Sequence, residues 1–184
     1  MLPSPDTFDC TWTPDRGIDR ETLEQVVSLA VEIAREGREG RKIGTLFVIG
    51  DVHAVMHRSK ALILDPLRGH PAGCKRLASR DTRETIKELA QLDGAFVVSD
   101  EGVVLSACRY LDTSSRGIKL PLGLGSRHMA AASITRQTGA MAVVVSESSV
   151  VRVFDAGAIV AEIIPEFWMM SQFESAAQSR AGAD

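Results

Sequence analysis

The sequence predicts an α/β (α+β) domain: a mixed, roughly seven-stranded β-sheet flanked by three or four helices. Three observations carry that prediction. Short apolar, β-branched runs recur between residues 44 and 163. Stretches between them show apolar residues at spacings of three and four. Several runs are joined by tight turns, which pairs neighbours antiparallel and departs from a doubly wound parallel sheet.

Taken in order, residues 1–17 hold three prolines and read as an irregular arm. Residues 18–36 are helical by pattern: Leu23, Val26, Val27, Ala30, Ile33 and Ala34 form one face, and Gly37 ends it. A polar connector at 37–42 leads to a strand at 44–49. Gly50-Asp51 reads as a turn and 52–56 as a returning strand, a predicted hairpin. Residues 65–80 carry Pro66, Gly69, Pro71 and Gly73 and read as loop. A helix should follow, capped by Asp81 or Thr82, with Ile86, Leu89 and Ala90 inward. Strands at 95–99 and 103–108 flank the Asp100-Glu101-Gly102 turn. The Gly/Pro/Ser-rich loop at 111–125 is long for a compact domain, a length often tied to function. Ser126 reads as the N-cap of an Ala-rich helix ended by Gly139, and strands at 141–146, 150–154 and 158–163 complete the pattern. The domain therefore runs over 18–164. The tail, 165–184, starts with apolar Phe167, Trp168, Met169, Met170 and Phe173, suggesting a short docking helix.

Composition narrows the function. The 184 residues are 45% hydrophobic and 24% charged, as in an ordinary globular domain with a real core. The 21 basic and 24 acidic side chains give −3, no footprint for nucleic acid or an anionic membrane. No apolar run approaches the ~18 residues of a membrane span, and the N-terminus lacks the pattern of a signal peptide. Cys10, Cys74 and Cys108, odd in number and widely spaced, fit a reducing cytoplasm. No P-loop, no G-x-G-x-x-G after a strand, no C-x-x-C and no G-x-S-x-G elbow occurs. His53 and His57 stand four apart, but Ala54 replaces the glutamate of a zinc-protease motif and the segment reads as strand, so they read as ordinary strand or turn histidines.

Two segments stand out. Asp93-Gly94-Ala95 leads directly into a strand, although Asp-Gly is also a plain turn signal. Gly125-Ser126-Arg127-His128 opens a helix with two basic residues in its first turn. Positive side chains are unfavourable at the positive end of a helix dipole unless an anion sits there, and an anion site and a plain helix start remain equal readings.

Together these residues resemble the diadenylate cyclase family, marked by a D-G-A motif and, some thirty residues later, R-H-x-[AT] preceded by Gly-Thr or Gly-Ser. Here the second motif is Gly125-Ser126-Arg127-His128-Met129-Ala130. The run from Ile43 to Asp51 is similar to the family's first strand, and the run from Val143 to Glu147 to its strand ending in Ser-Glu. The resemblance covers roughly residues 40–163 and implies the same mixed, seven-stranded fold.

It also implies a reaction: two ATP molecules become cyclic di-AMP with release of two pyrophosphates, across a face-to-face homodimer, with Mg²⁺ or Mn²⁺ assisting. On that resemblance Asp93, Gly94, Arg127 and His128 would be catalytic. Asp93 would bind metal or orient and deprotonate the attacking hydroxyl, both roles staying open. Gly94 and Ala95 would approach the nucleotide, Tyr110 and Leu111 would face adenine, and Gly125, Ser126, Arg127 and His128 would cradle the triphosphate. Ser146 would lie by the phosphates, and Glu147 would join Asp93 at the metal. Tyr110 reads equally as a strand-end core aromatic, and Glu147 almost equally as a solvated turn residue. One departure is clear: many members carry a second arginine where this chain has Met129. Two other readings compete with the cyclase, a nucleotide-binding module that makes no product and a structural domain. The expected partners are ATP and a second copy of the chain, with neither nucleic acid nor membrane.

Overall fold

In the computed structural model the described residues are 16–168 and 170. The arm before residue 16, most of the tail, Cys10, Met169 and Phe173 lie outside them. Among the described residues, helix α1 (Arg20–Glu36) precedes strand β1 (Thr45–Ile49), helix α2 (Val52–His57) and strand β2 (Ser59–Ala61). A 3₁₀ turn (Ala72–Lys75) leads to α3 (Arg80–Leu89), β3 (Ala95–Val98) and β4 (Val104–Leu111). Helix α4 (Ser126–Gln137) and strands β5 (Met141–Val145), β6 (Val151–Asp155) and β7 (Ala158–Ile163) follow.

The strands form one seven-stranded sheet in the order β2-β4-β3-β1-β5-β6-β7. Only the central pair β1–β3 is parallel, and every other pair is antiparallel. The period-two alternation of β1 divides the core. Phe47 and Ile49 join one cluster with Val26, Ala30 and Ile33 of α1. Leu46 and Val48 join another with Ala131 and Ile134 of α4. Phe47 stacks on Phe96 of β3 with ring centroids 5.0 Å apart, a contact worth about 0.5–1.5 kcal/mol beyond area burial. Trp168, in a helical turn after the last strand, is buried in the α1-side cluster.

On that side α1 is also tied to α3 by charge. Lys87, its side chain only 7% exposed, lies 3.0 Å from Glu32, 3.2 Å from Glu36 and 3.1 Å from Glu84. Arg83 pairs with Glu32 as well. Burial alone would push the Lys87 ammonium down, but its bonds to Glu32, Glu84 and Glu36 more than offset this and hold its pKa above the ordinary lysine value.

The seven strands match the expected number, though one is a different segment. Residues 52–56 are not a strand pairing back on β1; they lie in α2. Gly50 and Asp51 both take positive φ (77° and 39°), which turns the chain into a short helix that buries Val55. With β3 and β5 on both sides of β1, no edge is left for a hairpin partner. The seventh strand is β2, three residues paired on β4. Two caps also differ. α3 starts from Ser79, because the Thr82 hydroxyl instead donates to the Cys74 carbonyl at 3.1 Å. α4 starts from Gly125, whose carbonyl accepts from the N–H groups of His128 and Met129, so Ser126 is its first helical residue.

Candidate active site

Strand directions assemble the site. Because β1 runs parallel to β3 and antiparallel to β5, the starts of β1 and β3 and the end of β5 share one edge of the sheet. Gly44, Asp93 and Glu147 sit at these points, and the first turn of α4 brings Arg127 among them. Arg127 Nη2 donates to Asp93 Oδ1 at 3.4 Å and Nη1 donates to Glu147 Oε1 at 3.3 Å. Both contacts are long, with Asp93 80%, Glu147 70% and Arg127 35% exposed. Pairs of this kind contribute little to stability.

Two glycines allow this geometry. A Cβ on Gly44 would stand 2.7 Å from Arg127 Nη1 and 3.2 Å from Glu147 Cγ, so only glycine leaves the guanidinium where it is. At Gly94, φ is +104° and a Cβ would meet the Cys108 and Arg109 backbone at 2.6–2.7 Å. Cys108 itself takes φ 55° where the β3–β4 register shifts, so the Asp93 turn is seated against a bulge.

Arg127 and Ser126 stand between two cavities. The larger, about 380 Å³, is lined by Asp93, Gly94, Ala95, Tyr110 and Leu111, and Met129 reaches its wall. The smaller, about 230 Å³, is lined by Gly125, His128, Ser146 and Glu147. All eleven residues expected from the sequence therefore line one or other of two cavities that share Ser126 and Arg127. Tyr110 is exposed rather than a core aromatic, with Lys60 Nζ 5.2 Å from its ring centroid. The Ser146 hydroxyl is engaged locally by Ser148 at 2.9 Å, as in a turn. The α4 N-terminus has neither a side-chain cap nor an acidic residue in its first turn, leaving it open to an anion.

His128 is 6% exposed and faces the sheet, its ring tilted against Phe154. Its Nε2 is 3.3 Å from Arg152 Nη1, and its Nδ1 is buried without a partner. Burial first, then Arg152 and Arg127, hold its pKa below the ordinary histidine value, against an opposing pull from Glu162. That direction, with the Arg152 guanidinium beside Nε2, favours the neutral imidazole over a second cation. Arg152, Glu162 and Gly44 were not singled out from the sequence. Gly44 stood within the first-strand resemblance, but nothing in the linear order couples it to Arg127.

The described residues contain no cluster of three or more histidine, cysteine or carboxylate groups able to hold a metal. Asp93 and Glu147 are two exposed carboxylates on one guanidinium. Mg²⁺ is ordinarily held by one or two carboxylates, with phosphates and water completing its shell, so this donor set fits a cation arriving with a phosphate ligand. His53 and His57 sit one helical turn apart on α2, both exposed and outside any such cluster.

Residues 32–159 match the family described as DisA bacterial checkpoint controller nucleotide-binding, which sets the class: a nucleotide-binding α+β domain. The chain belongs to the diadenylate cyclase family. Over 147 residues it is 50% identical to a diadenylate cyclase of Methanocaldococcus jannaschii, covering 79% of this chain and 46% of that protein. Over 154 residues it is 41% identical to a diadenylate cyclase of Haloferax volcanii, covering 83% of this chain and 54% of that protein. The chain thus spans about half the length of these relatives. Its fold is shared with DacA of Staphylococcus aureus, at TM-score 0.56 and 21% identity over 80% of this chain and 90% of that one. It is shared also with a hypothetical membrane spanning protein from Bacillus cereus, at TM-score 0.57 and 19% identity over 76% and 62% of the two chains. No helix among the described residues is long and apolar enough to cross a membrane.

Proposed function

We propose that this domain is a diadenylate cyclase, condensing two ATP molecules into cyclic di-AMP with release of two pyrophosphates. The observation that carries the reading is Arg127, held between Asp93 and Glu147 where two cavities meet. In this proposal adenine and ribose occupy the larger cavity, with Tyr110 against the base, and the triphosphate enters the smaller one at the α4 N-terminus. Each 3′-hydroxyl oxygen bonds to the α-phosphorus of the other nucleotide. The bond from that phosphorus to the β-phosphate bridging oxygen breaks, and pyrophosphate leaves with the electron pair. Asp93 accepts the hydrogen bond of the attacking hydroxyl and orients it, and the proton passes through the carboxylate to water. Arg127 offsets charge on the phosphates. Asp93 and Glu147 would hold Mg²⁺ or Mn²⁺, which when bound supplies further charge neutralisation. Two attacks of the same kind call for an isologous dimer. Free thiols at Cys74 and Cys108 agree with a reducing, cytoplasmic setting.

The test is to incubate the protein with ATP and Mg²⁺ or Mn²⁺ and identify the nucleotides by mass, with Asp93→Asn as control. Cyclic di-AMP from the wild type alone supports the reading; the same yield from Asp93→Asn removes Asp93 from the reaction. A second reading, nucleotide binding without turnover, is favoured by Met129 on the wall of the larger cavity. Under it the wild type binds ATP without product, and Met129→Arg restores both affinity and turnover.

A further inference from the structure

A chain of contacts behind the site leads to a residue with no assigned part. In the sheet register Arg152 of β6 stands opposite Val144 of β5 and Glu162 of β7. Its Nε donates to Glu162 Oε1 at 3.1 Å, and its side chain is largely buried. Its Nη1 lies 3.3 Å from His128 Nε2.

The chemistry of this contact has one solution. A guanidinium only donates and does not lose its proton, so Nε2 has to accept. A neutral imidazole that accepts at Nε2 carries its proton on Nδ1. The imidazolium form would have no acceptor to offer and would set two cations together. Nδ1 is the atom that is buried without a partner, and His128 lines the cavity at the α4 N-terminus together with Gly125 and Ser126. Nδ1 is closed to water in the ligand-free chain, so an acceptor such as a phosphate oxygen completes its N–H once a ligand at that helix end shifts the ring or its lining.

We infer that Arg152, itself fixed by Glu162, is a positioning residue that locks His128 as its Nδ1–H tautomer, so that His128 serves the nucleotide as a neutral hydrogen-bond donor. The inference rests on the proposal that phosphates bind at the α4 N-terminus. It separates His128 from Arg127: one side chain contributes charge, the other a directed N–H. It also gives a use to the ion pair between the largely buried Arg152 of β6 and the exposed Glu162 of β7.

Long-range ¹H–¹⁵N spectra of the imidazole rings read the tautomer in the uniformly labelled, ligand-free chain, with His128→Gln assigning the resonances. At pH 7.5 the wild type should show the Nδ1–H pattern for His128. Arg152→Met should move it toward the Nε2–H form favoured by free neutral histidine, Arg152→Lys should restore part of the pattern, and Glu162→Gln should shift it less. ATP added with a chelator, so that no turnover occurs, should move the Nδ1 resonance. Activity should follow: kcat/KM for ATP falls roughly ten- to a hundredfold in Arg152→Met, the scale typical of an outer partner that orients a ligand, and less in Arg152→Lys. A wild-type His128 found as Nε2–H or as imidazolium overturns the inference even if no variant folds. An unchanged tautomer in folded Arg152→Met, or no response of Nδ1 to ATP, overturns it as well. Because the tautomer is read without turnover, absence of cyclic di-AMP would sink the cyclase reading while leaving the tautomer result standing.

Discussion

Two clusters of opposite charge sit on this domain, and they are built differently. Between α1 and α3, Lys87 is drawn into three carboxylates at 3.0–3.2 Å and is nearly sealed from water. At the sheet edge, Arg127 reaches two exposed carboxylates at 3.3–3.4 Å, and the helix end beside it carries no cap. In the first cluster the Lys87 ammonium has all three donors taken from within the chain, and the pairing joins two helices. The second holds its groups apart, leaving their capacity for something that is not protein. The pairing of charges is the same in kind; closure decides whether a cluster stabilises the fold or receives a ligand.

Substitutions can break that contrast. Arg127→Ala should have the largest effect: ATP affinity falls about ten- to a hundredfold, the scale of one or two lost charge-assisted bonds, while the melting temperature stays put. Calorimetric titration with ATP and a thermal melt read both, and a lowered melting point with unchanged affinity would reverse the assignment of the two clusters. Lys87→Ala should do the opposite. It leaves Glu32, Glu36 and Glu84 facing one another; because those carboxylates are partly in water, the cost is about 1–2 kcal/mol rather than the larger value for a sealed pair. Urea unfolding would show it as a lower midpoint at unchanged ATP affinity. Gly44→Ala sharpens the comparison, since the nearest atoms its Cβ would meet belong to the Arg127 and Glu147 side chains and not to backbone. Stability should change by under about 0.5 kcal/mol and ATP affinity should drop several-fold; equal losses of both would mean the backbone had moved.

The smallest effect is a pH dependence. Burial, Arg152 and Arg127 place the pKa of His128 below its unfolded value, which is about 6.5. Between those two values the unfolded chain binds the extra proton, so stability is lost as pH falls from about 6.5 toward the folded pKa. Melting temperatures over that interval should fall less steeply for His128→Gln than for the wild type. Parallel slopes would mean that another group takes up the proton.

Legibility from the sequence followed the length and regularity of each element. The apolar spacing of α1 and the unbroken apolar runs of β3 and β5 were strong signals, because α1 buries one face and these two strands bury both. Residues 52–56 misled: Val52 and Val55 suggest a strand, but two positive-φ residues ahead of them and the occupied edges of β1 decide for a helix. Arg127 and His128 were readable because positive side chains are unusual in the first turn of a helix, whereas Asp93-Gly94 is an ordinary turn signal that gained meaning only from the family resemblance. Gly44, Arg152 and Glu162 were not. A glycine before a strand and alternating charges on a strand are commonplace, and only the register of β1, β5, β6 and β7 sets them beside Arg127 and His128.

The parallel β1–β3 pair at the centre of an otherwise antiparallel sheet also bears on how the chain is made. β1 is synthesised early, yet its two neighbours, β3 and β5, come later, β5 near the end of the domain. Until β3 has left the ribosome the strand Thr45–Ile49, every residue of which is buried in the folded domain, has neither hydrogen-bonding edge filled, and until β5 follows one edge stays open. Closing such distant pairs is slow, and an unpaired apolar strand invites association with other chains. The docking of β5 therefore closes the last edge of β1 and, because Glu147 follows β5, brings the second carboxylate to Arg127.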